Sequence, residues 1–154
     1  MKIRNDFVTN SSSSSFIVSF ANKKEMEEKR MKMLQTYSES IVNRVFEDIN
    51  GNRITYTEAK AAIKEAIEDS YYYKYRLGFN SPYKGKPYEW FWSKEFKAAI
   101  KDEVERDLNN IINRCNHRGI FAEISYSDHS ELGALLEQTI MPKQDFVLRV
   151  INNH

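Results

Sequence analysis

The sequence predicts an α+β fold, with three long amphipathic helices packed on a small, about three-stranded sheet that contains a C-terminal βαβ unit. Three observations carry this expectation. Long stretches repeat apolar residues every three or four positions, the spacing of one buried helix face. Short runs rich in β-branched and aromatic residues lie near both ends of the chain. The last two of these runs are separated by room for only a short helix, and a strand–helix–strand crossover of that kind closes right-handed with parallel strands.

Each element has its own local signal. Residues 1–15 read as a flexible Ser-rich arm, because the hydroxyls of Ser11 to Ser15 compete for backbone hydrogen bonds. Residues 16–154 then form a single α+β domain, long enough to bury its own core. Phe16 to Phe20 is the first strand. Asn22 and Glu25 have capping-box spacing, and the stripe Leu34, Tyr37, Ile41, Val45 and Ile49 carries the first helix to a stop at Asn50-Gly51-Asn52. Thr55 and Glu58 repeat the box, and a second helix runs through Ala59, Ile63 and Ile67 into Tyr71-Tyr72-Tyr73. Gly78, Pro82, Gly85 and Pro87 mark a loop. Ser93 caps a third helix with the stripe Phe96, Ile100, Val104, Leu108, Ile111, Ile112 and Cys115, closed by Gly119. Ile120 to Tyr126 is a strand, Asp128 caps a short helix through Leu132 to Leu136, and Phe146 to Ile151 is the last strand.

Composition narrows the function classes. The net charge is +1, so an affinity for nucleic acid would have to come from a local patch. The lone cysteine, Cys115, excludes a disulfide scaffold and a thiolate-rich zinc site, and points to a reducing cytoplasmic setting. No apolar run reaches the roughly 20 residues that span a bilayer, so no membrane partner is expected. The opening residues turn polar too early for a secretory segment.

Four features could carry chemistry. Asp128, His129, Glu137 and His154 fall where the two C-terminal strands end, the edge at which open α/β sheets bind ligands. Two imidazoles and two carboxylates suit a divalent metal or an acid–base pair. The same residues also read as a helix cap, a surface histidine and a chain terminus. The second feature is the segment Tyr71 to Lys94, which holds half of the chain's aromatic residues and five cations against one carboxylate, Glu89. Within it Tyr83, Lys84, Lys86, Tyr88, Trp90 and Trp92 form a candidate binding set, since Tyr, Trp and cations make interaction hot spots and stack on single-stranded bases. Some of these rings are also needed to close the core beneath a long loop. The third is Cys115 with His117, a nucleophile pair in principle, although Cys115 continues an apolar stripe. The fourth is the serine tract, a phosphorylation or protease target if exposed.

The string Phe7-Val8-Thr9-Asn10-Ser11-Ser12-Ser13-Ser14-Ser15-Phe16 resembles the opening of a loose group of uncharacterised proteins from clostridia-like Gram-positive bacteria and their phages. The tail is similar as well, with Ser125-Tyr126-Ser127-Asp128-His129 leading to Leu136-Glu137, Ile140-Met141-Pro142 and His154. The resemblance implies a bacterial or phage source and a cytosolic location. It transfers no activity and no cofactor. The leading expectation is a non-enzymatic binding or regulatory protein, such as an anti-defence or host-takeover inhibitor, that meets a protein partner through the aromatic-basic loop. The alternatives are a metal-dependent, hydrolase-like enzyme at the Asp128, His129, Glu137 and His154 cluster, and a single-stranded nucleic-acid binder.

Overall fold

A computed structural model describes residues 12–153. The fold is α+β, with six α-helices and a four-stranded antiparallel sheet among the described residues. Its contacts divide the chain into two compact units, where the sequence reading has one domain over 16–154. One takes the described residues up to Ala59 together with those from Cys115 onward, and the other is Lys60–Arg114.

The first unit is built on the sheet. Its strands are β1 (Ser13–Phe20), β2 (Arg53–Ile54), β3 (Ile120–Ser127) and β4 (Val147–Asn153), in the order β2-β3-β1-β4. β1 lies between β3 and β4 and is antiparallel to both, with Phe16 opposite Ile124 on one side and Val150 on the other. β3 and β4 therefore point the same way, as expected, but they are not neighbours. The expected βαβ unit is split by the first strand, and the sheet contains no parallel pair. A two-residue edge strand, β2, pairs with Ala122 and Phe121 of β3; it was too short to register as a pattern.

One face of the sheet carries Phe16, Val18, Phe20, Ala122, Ile124 and Tyr126 into a core closed by α1 (Lys23–Leu34), α2 (Glu39–Gly51) and the segment after β3. That segment is α6 (Glu131–Leu135), a π-helical turn at Leu136–Ile140 and a 3-10 turn at Met141–Lys143. Phe20, Phe46 and Phe146 pack as a trio with centroids 5.0 to 6.0 Å apart. The first helix of the sequence reading is two helices. The Ser38 hydroxyl accepts from the Ile41 amide and starts α2 afresh. The apolar stripe continues across the break, so periodicity alone could not reveal it.

The second unit holds the greater part of α3 (Tyr56–Leu77), a 3-10 turn (Tyr88–Trp92), α4 (Lys94–Ala99) and α5 (Lys101–Ile112). Thr55 and Glu58 make the expected capping box at the start of α3: the Glu58 amide donates to the Thr55 hydroxyl at 3.1 Å and the Thr55 amide donates to the Glu58 carboxylate at 2.9 Å. The third predicted helix is also two. Ser93 caps α4 as expected, but Ile100, at φ −97° and ψ 2°, leaves helical geometry while its side chain stays buried. α5 ends at Ile112, so Gly119 does not cap it. Gly119 instead serves a close approach, since a Cβ there would stand 2.3 Å from the Phe20 carbonyl oxygen.

Candidate functional site

The C-terminal ends of β3 and β4 flank the start of β1, and this brings the serine tract to the predicted polar edge. Ser13 to Ser15, expected in a flexible arm, are strand residues paired with Ser127 to Ser125 and with Asn153 to Ile151. Residues 1–11 lie outside the described residues. Ser14 and Ser15 are buried. Their hydroxyls find partners on opposite faces, as side chains alternate along a strand. Ser15 Oγ lies 2.7 Å from Ser125 Oγ. Ser12 and Ser14 both donate to one oxygen of Glu137, at 2.5 and 3.0 Å. Ser14 Oγ also lies 2.9 Å from the Asn152 side-chain oxygen. It has one proton, so it donates to one of these acceptors at a time.

Glu137 is the centre of this cluster and only 4% exposed. It sits on the π-helical turn between Leu136 and Ile140, both fully buried. The approach to β3 is fixed by Gly133, where a Cβ would stand 2.1 Å from the Ser127 carbonyl oxygen. Ser130, not Asp128, caps α6, accepting from the Gly133 amide at 3.0 Å. Asp128 donates its amide to the Ser12 carbonyl at 3.0 Å, and His129 is an exposed turn residue. His154 lies outside the described residues. Among the described residues no group of three or more His, Cys, Asp or Glu side chains could hold a metal ion. Ser12 and Ser14 were expected only as part of the Ser-rich arm, a phosphorylation or protease target, and Asn152 was not singled out. The alternation of Ser12, Ser14 and Phe16 onto one strand face was the available signal.

The aromatic segment of the second unit divides its predicted binding set in two. Tyr83 and Trp90 are half-buried and face inward, their rings 5.2 Å apart and each within 6.0 Å of the buried Phe96. Tyr88 and Trp92 face outward, 53% and 61% exposed. Trp92 leans on the Tyr72 ring at 4.5 Å, and Arg76 lies 5.0 Å from the Tyr88 ring and 5.1 Å from that of Tyr72. Tyr73, Leu77 and Phe79, outside the predicted set, are also exposed. Lys86 lies over Trp90 at 5.1 Å and Lys74 over Tyr71 and Tyr75, so several of the segment's cations already sit against its own rings. Lys84 is exposed.

Beside this surface α3 is tied to α5. The Tyr71 hydroxyl donates to Asp107, and that of Tyr75 to Glu103, both at 2.5 Å. The Glu103 hydrogen bond, then burial, pushes the Tyr75 phenol up to about 12. Glu68 and Asp69 lie on α3 one turn before Tyr72, and Glu65 two turns before it. Burial, and then the neighbouring Glu65 carboxylate, raises the Asp69 carboxyl above its ordinary range. Cys115 and His117 lie past the end of α5, in the other unit, where His117 stacks on Tyr56 with centroids 4.3 Å apart.

No family model matches the chain, and no curated protein or solved structure matches it either. No described helix is long and apolar enough to cross a membrane.

Proposed function

We propose that the chain is a non-enzymatic binding or regulatory protein whose protein partner docks on the outward aromatic surface of the Lys60–Arg114 unit. The observation that carries this reading is the exposure of Tyr88 and Trp92 on rings that are already fixed. Trp92 rests on Tyr72, and Arg76 is held among Tyr72, Tyr73 and Tyr88. Large rings that stay in water at a set position lose little freedom on binding, which is the character of an interaction hot spot. Lys74 and Lys86 already lie over Tyr71, Tyr75 and Trp90, so fewer ring faces are open to stack on bases, which favours a protein partner over single-stranded nucleic acid. Given the resemblance of the termini to clostridial and phage proteins, the form of binding we propose is inhibition of a host or defence protein in the bacterial cytoplasm.

The test is capture of partners from host lysate by wild type and by a Tyr88→Ala, Trp92→Ala variant. The variant is expected to lose the captured partner while staying folded, with only a modest fall in melting temperature, because both rings are more than half exposed. Identical partners with both proteins would overturn the reading. Trp90→Ala serves as the contrast, since it opens the ring cluster around Phe96 and should lower stability.

A further inference from the structure

A groove of about 210 Å³ runs beside Trp92 in the Lys60–Arg114 unit. Its aromatic wall is Tyr72, Phe91 and Trp92, and its other wall is the acidic face of α3, with Glu65, Glu68 and Asp69. Glu65, Asp69 and Tyr72 follow one another at four- and three-residue spacing, so one helix face presents carboxylates and then a ring. Lys97 is the single cation on the lining, against three carboxylates. The Asp69 carboxyl is raised first by partial burial and then by Glu65, while Lys97 acts in the opposite direction. The volume is below the roughly 300–1,000 Å³ of sites that enclose a small molecule. It suits one long side chain.

We propose that this groove receives a lysine or arginine side chain from a basic segment of the protein partner. The aliphatic stem lies along Trp92 and Phe91, as long cationic side chains cover apolar surface. The charged head meets the ring faces and the carboxylates of Glu65 and Asp69. The sign of the groove fixes the class of partner: an acidic segment or a nucleic-acid backbone is repelled from it. This deepens the reading of the aromatic surface as a docking site and rests on it.

The experiment uses the full chain and three synthetic peptides of equal length, alternating glycine with arginine, with glutamine or with glutamate. The Trp92 indole N–H signal, assigned with Trp92→Phe, is followed in two-dimensional NMR during titration. The arginine peptide is expected to move this signal saturably, less strongly at high salt. The glutamine and glutamate peptides should leave it in place. A Glu65→Gln, Asp69→Asn variant, close to isosteric and checked for an unchanged melting temperature, should bind the arginine peptide about tenfold more weakly, or more. No saturable shift, an equal shift with the glutamine peptide, or full affinity in the variant would each overturn the proposal. So would a single-stranded oligonucleotide moving the Trp92 signal in place of the arginine peptide. If the peptide fails while Tyr88→Ala, Trp92→Ala still abolishes partner capture, the docking surface stands and only the charge class falls. If capture is unaffected as well, the surface reading falls with it.

Discussion

Glu137 keeps a carboxylate inside the first unit on hydrogen bonds from Ser12 and Ser14, with a longer contact of 3.4 Å from Gln138. Among the described residues no salt bridge reaches it. Removing a carboxylate from water without a cation is costly, and hydroxyl donors offset only part of that cost. Truncation nevertheless leaves the buried Ser14 hydroxyl with fewer acceptors and opens a void beside Leu136 and Ile140. Glu137→Ala is therefore expected to cost about 2–4 kcal/mol in urea unfolding. Glu137→Gln keeps the shape and one acceptor oxygen, and should cost no more than about 1–2 kcal/mol. A glutamine variant more stable than wild type would show that the charge itself is a net burden. The sequence placed Glu137 at this edge because it follows the third strand by a short helix. It could not supply the serines, because their role depends on a strand pairing made across more than 120 residues.

At the scale of elements, the local signals were legible wherever a few neighbouring residues settle the matter. The Thr55–Glu58 box and the Ser93 cap formed as read. The breaks at Ser38 and Ile100 were hidden, because buried side chains keep their spacing through them. The aromatic segment was visible as a whole, but which rings face water was not. Tyr83 and Trp90 differ from Tyr88 and Trp92 only in how the 3-10 turn presents them against Phe96. The tyrosines of α3 add a pH dependence that belongs to the helix pair. Tyr75 donates to Glu103 of α5, and its phenol is pushed up to about 12. An unfolded tyrosine titrates near 10. The folded value is the higher one, so this tie is fully present below about pH 10 and is lost as pH rises towards 12. Tyr71, raised by burial and by Asp107, acts in the same direction. Urea midpoints measured upward from pH 8 should hold steady and then fall above about pH 10. Tyr75→Phe should reduce that fall and remove a late component from the phenolate absorbance titration. If the amplitude lost in the variant lies near pH 10 and not at the late end of the curve, Tyr75 ionises like a free tyrosine.

For the whole molecule, the order of the sheet decides which part opens last. β1 is bonded on both edges from Ser13 to Val18, to β3 on one side and β4 on the other. It also carries a deeply buried run, with Phe16, Ile17, Val18 and Phe20 fully enclosed. β2 is two residues long, and β4 has a neighbour on one side only. Amides that can exchange only when the central strand separates report the free energy of opening the first unit as a whole. The amides of Phe16 to Val18 should therefore be the slowest of this sheet, with an exchange free energy equal to that from urea unfolding. The decisive positions are Ser14 and Ser15. If their paired backbones and satisfied hydroxyls belong to the same cooperative block, they exchange together with Phe16, and Glu137→Ala accelerates them by at least as large a factor. If they exchange much faster than Phe16, the serine end of β1 frays independently. The tract would then be an arm that docks on Glu137 only part of the time. The two outcomes distinguish a serine tract that is structural from one that remains open to modification. Its sequence, five identical small residues with no apolar alternation, is silent on that choice.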